Sequence, residues 1–220
     1  MRKKTKKKRR FLVYLLVMVL TFSAVVGLYK FKNSQHYMAG IINPGGLEQV
    51  EINYGKEIER VAEEFELSAA YLKALCMLES SGRKYIKPRF EEHIYRKLKA
   101  LKNQEITQFE NVTPHMIRDS GDEALRNMAK SWGPFQLMGY KCLFLQIQIA
   151  DLRGKNAVYW AAKWINETYG DLVRAGEYKH AFHIHNTGKK FPNNGIPFTF
   201  HPDYVTNGLQ YMEHFKNVKP

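Results

Sequence analysis

Ser68-Ala-Ala-Tyr-Leu-Lys-Ala-Leu-Cys-Met-Leu-Glu79-Ser-Ser-Gly82 is the stretch on which the reading of the whole chain turns. Ser68 has the chemistry of an N-cap and Gly82 that of a stop just past a helix end. Between them, Leu72, Leu75, Cys76 and Glu79 fall at i, i+3, i+4 and i+7. Glu79 therefore shares a helical stripe with three apolar residues. A carboxylate so placed is desolvated, which disfavours its charged form and raises its pKa. A carboxyl that stays protonated near neutral pH is what a general acid requires. Tyr71, Ala74 and Leu78 make the helix apolar nearly all round, so the stripe is broad. The plainer reading is a Glu at a helix end that points to water, since Glu is rarely buried without a partner. Position alone leaves both readings open.

The chain has 220 residues and a formal charge of +13. Eight of its first ten residues are Lys or Arg, and without them the net charge falls to +5. So mild an excess does not argue for a nucleic-acid partner. Residues 11–29 follow with no charge and a predominance of Leu, Val and Phe. That length spans a hydrocarbon core, and the basic block before it sets the N-terminus in the cytoplasm. The reading is a basic tail (1–10), a transmembrane signal anchor (11–29), a linker (30–46) and one outer domain (47–220). A cleaved signal peptide is the competing reading, with Ser23-Ala24 and Gly27 as small residues near a cut. Cys76 and Cys142 lie beyond the membrane. They can pair in an oxidising compartment or serve as small buried apolar residues, and burial is the favoured reading.

The outer domain reads as mostly α. Ile58, Val61, Ala62 and Phe65 form one face ahead of the Glu79 helix. Residues 84–90 contain Pro88 and alternate weakly, which predicts a short strand or extended edge. Residues 92–101 read as a helix. Thr113-Pro114 is an N-cap followed by Pro at the first helical position, and Ser120-Gly-Asp-Glu123 matches a capping box. Residues 139–150 and 156–169 read as helices, as do 177–185 and a terminal stretch near 203–215.

Two further segments carry possible chemistry. Lys130-Ser-Trp-Gly-Pro-Phe-Gln-Leu-Met-Gly139 places Gln136 among apolar residues. There an amide is costly unless hydrogen-bonded, either by a sugar or by the backbone of a tight interhelix turn. His180-Ala-Phe-His-Ile-His-Asn-Thr-Gly188 offers three histidines. No Cys or acidic residue stands beside them at ligand spacing and HExxH is absent, so they are read as ordinary helix-end residues, with no metal and no cofactor assigned.

Taken together, these segments resemble the lysozyme-like peptidoglycan muramidases. The chain is similar to goose-type lysozymes and lytic transglycosylases, and most of all to the phage N-acetylmuramidase endolysin branch. The resemblance rests on Glu79-Ser80, on Phe90-Glu91-Glu92-His93, on Ser131-Trp132-Gly133-x-Phe135-Gln136 and on Ile184-His185-Asn186 ahead of Gly188. It covers roughly residues 57–188. Each motif is weak alone, and their order gives the set its weight. His185 stands where the family usually has a Tyr that holds the catalytic Glu, and a histidine there titrates near neutral pH.

The resemblance implies a lysozyme-like domain that cleaves the MurNAc–GlcNAc bond of peptidoglycan, with Glu79 as general acid. Hydrolysis needs a second carboxylate, for which Glu91 is the candidate and Glu92 stands behind it. Lytic transglycosylation needs only Glu79, which then acts as base on the sugar's own 6-hydroxyl. Gln136 and Asn186 are implied to bind sugar amides and hydroxyls, with Trp132 and Phe135 stacking on sugar faces. Core packing is the commoner role of such aromatics. Ser80 is implied to bond Glu79 or substrate, or simply ends its helix. Glu91 equally fits an ion pair with Arg89 or His93. The expected partners are peptidoglycan glycan strands, the inner membrane through residues 11–29, and a secretion or conjugation complex. The alternatives are a non-catalytic wall-binding protein and an envelope-machine assembly protein.

Overall fold

The computed structural model describes residues 44–217. The expected basic tail, membrane span and most of the expected linker lie outside the described residues. Among those described, no helix is long and apolar enough to cross a membrane.

The domain is mostly helical. It opens with α1 (Pro44–Val50), a π-helical turn (Glu51–Gly55) and α2 (Lys56–Glu64) in one run. Residues 44–46, expected as linker, thus belong to the first helix. The quoted stretch forms α3 (Ala69–Ser80), and the Ser68 hydroxyl accepts from the Tyr71 amide at 3.3 Å as its N-cap. The left-handed residue that ends the helix is Ser81 at φ +53°, with Gly82 continuing in that conformation. Leu72, Ala74, Leu75 and Cys76 are fully buried, so α3 is the axis of the core. Burying each large aliphatic side chain there stabilises the fold by about 1.5–3 kcal/mol.

Lys73 shares that buried helix. Burial works against its charge, yet Glu51 and Glu59, at 2.8 and 2.7 Å, outweigh burial and raise its pKa. This triad fastens α3 to the π-turn and to α2.

α4 (Glu92–Lys102), α5 (Pro114–Ile117) and α6 (Asp122–Met128) enclose a second cluster around Leu98, Leu101, Ile117 and Ala129. α5 has Thr113 at its N-cap position and Pro114 first in the helix, as expected, though the Thr113 side chain makes no capping bond. The expected capping box at Ser120–Glu123 does not form: Gly121 is the N-cap, with no side-chain bond.

Residues 130–139 form a β-hairpin, where the sequence suggested a turn between helices. Strands β1 (Arg89–Phe90), β2 (Lys130–Trp132) and β3 (Leu137–Met138) pair antiparallel in that order, with Arg89 opposite Ser131 and Trp132 opposite Leu137. Only the last two residues of the expected extended segment 84–90 are strand. The connection Gly133–Gln136 places Gly133 at φ +73°, and a Cβ there would meet the Leu152 carbonyl oxygen at 1.9 Å.

The helix expected over 139–150 is shorter. α7 (Lys141–Leu145) ends at Gln146 with φ +55°, and a 3₁₀ turn (Ile149–Leu152) follows. α8 (Ala157–Arg174) runs five residues beyond expectation and kinks at Tyr169. α9 (Tyr178–Thr187) and α10 (Tyr204–Asn217) complete the domain. α10 lies along α3 and α9. Gly208 permits this approach, because a Cβ there would come within 2.9 Å of Phe182 and 3.0 Å of Leu78. Cys76 and Cys142 are both buried free thiols.

Gly133→Ala combines a left-handed backbone with a clash against main chain. The expected loss of stability is at least about 2 kcal/mol, read from urea unfolding.

Candidate active site

Glu79 lies in the last turn of α3 with 15% of its side chain exposed. Burial pushes its carboxyl up to about 7, against the opposing pull of the Tyr204 hydrogen bond and the Arg89 charge. The negative end of the α3 dipole acts in the same direction as burial. The Tyr204 hydroxyl, at the start of α10, donates to Glu79 Oε1. That leaves Oε2 to carry the proton of the neutral acid.

His185 does not take the role expected of it. Its Nε2 is 3.9 Å from Glu79 Oε1, beyond hydrogen-bond reach, and 3.0 Å from the Phe135 carbonyl oxygen. Since a carbonyl only accepts, Nε2 carries the hydrogen and Nδ1 accepts from Tyr169 Oη at 2.7 Å. Tyr71 Oη donates in turn to Tyr169 Oη at 3.4 Å. Burial, with the Lys141 charge in support, lowers the His185 pKa to about 3, against the Phe135 carbonyl. The imidazole is therefore neutral at physiological pH and does not titrate near neutrality.

Glu91 precedes α4 and pairs with Arg89 at 2.7 Å and His93 at 3.7 Å. Both are the ion-pair partners that the sequence offered. Glu92 is an exposed residue paired with Arg96. Arg89 links the two candidate acids, being bonded to Glu91 while its field reaches Glu79.

The other expected substrate residues divide by exposure. Gln136 Oε1 accepts from Ser131 Oγ at 2.7 Å and its Nε2 donates to the Gly133 carbonyl at 2.9 Å, so its amide closes its own hairpin. Phe135 is fully buried, and Trp132 is mostly buried and donates to the Asn127 carbonyl. The Ser80 hydroxyl donates back to the Cys76 carbonyl within α3. Asn186 is exposed. The remaining two histidines are also engaged: His180 Nδ1 accepts from the Phe191 amide, and His183 bridges the Lys189 carbonyl and the Phe198 amide.

The domain also has a groove of about 730 Å³. One wall is the segment that follows α3, where Asn53 Nδ2 and Tyr54 Oη donate to the Gly82 and Arg83 carbonyls. The other is formed by Trp132, Gly133, Pro134 and residues 153–155. Glu79 is not among the lining residues. The link to it is Pro134, whose neighbour Phe135 holds His185.

Tyr204, Tyr169 and Tyr71 are the site residues that the motifs missed. Tyr169 extends the Val158, Ala161, Ala162, Ile165 face by one more turn, and that was a usable signal. Tyr204 gave none. Comparisons with protein-family models, with curated proteins and with solved structures found no match to this chain.

A carboxyl raised from an ordinary value near 4.5 to about 7 makes the folded state hold its proton longer than the unfolded chain does. Stability is thus lost as pH rises through that window and is level above it. Glu79→Gln keeps the Tyr204 bond and cannot ionise. Its unfolding free energy should gain on the wild type by about 3 kcal/mol between pH 4.5 and 8, measured by denaturant titration at each pH. Tyr204→Phe removes a bond that lowers this pKa, so the Glu79 carboxyl should titrate higher still, as followed by carbon-13 NMR.

Proposed function

We propose that this chain is a membrane-tethered peptidoglycan lytic enzyme with a lysozyme-like domain of the goose-type lysozyme and lytic transglycosylase kind. The observation that carries the reading is Glu79: a buried carboxyl whose pKa burial raises to about 7, held by Tyr204. The tether is proposed from residues 11–29, and the motif order adds the sugar chemistry.

In the proposed reaction Glu79 Oε2–H protonates the oxygen between MurNAc and GlcNAc as the glycosidic bond breaks. The carboxylate so formed then takes the proton of the MurNAc 6-hydroxyl, whose oxygen closes on the anomeric carbon. Glu79 ends protonated, and the product has a 1,6-anhydro end. This ending is favoured because the groups acting on Glu79 are Tyr204, His185 and Arg89, none of them a carboxylate. Glu91, the acid that hydrolysis would recruit, is bonded to Arg89. A neutral His185 adds no charge beside the developing oxocarbenium ion. Because the acid form of Glu79 starts the reaction, kcat/KM should fall as pH rises through about 7.

A wall-binding protein without turnover is the second reading, and one observation favours it: the groove is lined without Glu79. Sacculus digestion separates the two. Glu79→Gln should cut product release at least about 100-fold, whereas Glu91→Gln should stay within about tenfold of wild type. Mass spectrometry should find anhydro ends. Reducing ends, together with an inactive Glu91→Gln, would establish hydrolysis instead. Sacculus binding by the wild type with no soluble product would leave only the binding reading.

A further inference from the structure

The groove lined by Trp132, Gly133 and Pro134 carries an unbalanced charge. Lys84, Lys87, Arg153 and Lys155 line it, against Glu57 as its one acid. Glu57 is already neutralised by Arg60, which reaches it at 2.7 Å from outside the groove. Some cations of the domain are held by acids, as Lys73 is by Glu51 and Glu59 and Arg89 by Glu91, and others stand singly; the groove differs in gathering four into one concavity. Among the described residues, none of the four groove cations has an acidic partner within ion-pair distance. Arg153 lies over the Trp132 ring at 5.3 Å, a contact that orients the guanidinium without neutralising it. Four uncompensated cations in one concave surface focus a positive potential into it.

The groove also offers flat rings. Tyr85 is 95% exposed and Tyr54 is half-buried, whereas Trp132 is nearly covered and carries Arg153 over its ring. The open tyrosine faces stack on pyranose rings. A peptide of acidic residues would satisfy the cations and leave the rings idle. An acidic saccharide satisfies both.

We propose that this groove binds an anionic polysaccharide strand, with its carboxylates or phosphates on Lys84, Lys87, Arg153 and Lys155 and a sugar face on Tyr85. The inference concerns binding and stands whether or not Glu79 cleaves anything. If the lytic reading also holds, the groove feeds charged strands to Glu79 in preference to neutral ones.

The test uses the full chain carrying Glu79→Gln, so that no turnover intervenes. The probes are oligogalacturonate, phosphomannan, neutral chitohexaose and poly-L-glutamate, titrated by calorimetry at low salt and again at about 0.5 M salt, where screening is nearly complete. At least one acidic saccharide should bind about tenfold more tightly than chitohexaose at low salt and lose that advantage at high salt. Which of the two binds identifies carboxylate or phosphate as the anion. The added changes Lys84→Gln, Lys87→Gln, Arg153→Gln and Lys155→Gln should remove the advantage. Lys189→Gln with Lys190→Gln, away from the groove, should keep it. The basic N-terminal tail is common to all three proteins and cancels in the comparison. Tyr85→Ala, at an exposed position that does not threaten folding, should weaken the acidic saccharide and leave poly-L-glutamate unchanged. Equal binding of acidic and neutral saccharides, equal binding by the four-site variant, or preference for poly-L-glutamate would overturn the proposal.

Discussion

The desolvation of one carboxyl is the constraint around which this domain is arranged. Glu79 closes a helix whose other faces are packed, so it cannot turn away without unpacking Leu75 and Cys76. Its charge is opposed by burial and by the helix end, and only a phenol and a distant guanidinium moderate it. Keeping such a group costs stability above pH 7. A fold under no other demand would place a Leu or Met there and be more stable.

The surroundings divide the work. Tyr204 touches the carboxyl, while His185 is turned away from it and held from both sides by Phe135 and Tyr169. The hairpin that supplies the Phe135 carbonyl is itself closed by the Gln136 amide and by the tight passage of Gly133 against Leu152. Hence the residues that look most like sugar binders in the sequence build the floor on which the acid rests. Open surface is left to Asn186 and to the basic groove.

What was legible in the sequence was what is local. The Ser68 cap, the Pro114 start and the Val158–Ile165 face are patterns within a few residues, and each appears where expected. The hairpin was hidden because its strands are only three and two residues long, too short for a period of two to register. Gln136 drew attention as a polar residue in an apolar run. The cause was right and the partner was not, since Ser131 and Gly133 satisfy it from within the same turn. Tyr204 was not legible, because it lies 125 residues from the acid it holds and no spacing rule reaches so far. Charge was legible only as a total. That four cations from residues 84–87 and 153–155 gather in one groove depends on which side chains meet in space.

That long separation has a further consequence, for timing. Glu79 is made 125 residues before the phenol that orients it. Until the last helix docks along the third, the acid has its buried neighbours in place but nothing to aim it. A chain still emerging, or one clipped before Tyr204, contains every motif of the site and lacks its alignment. Alignment of the acid is therefore a late event in the folding of this domain, and it comes after its burial.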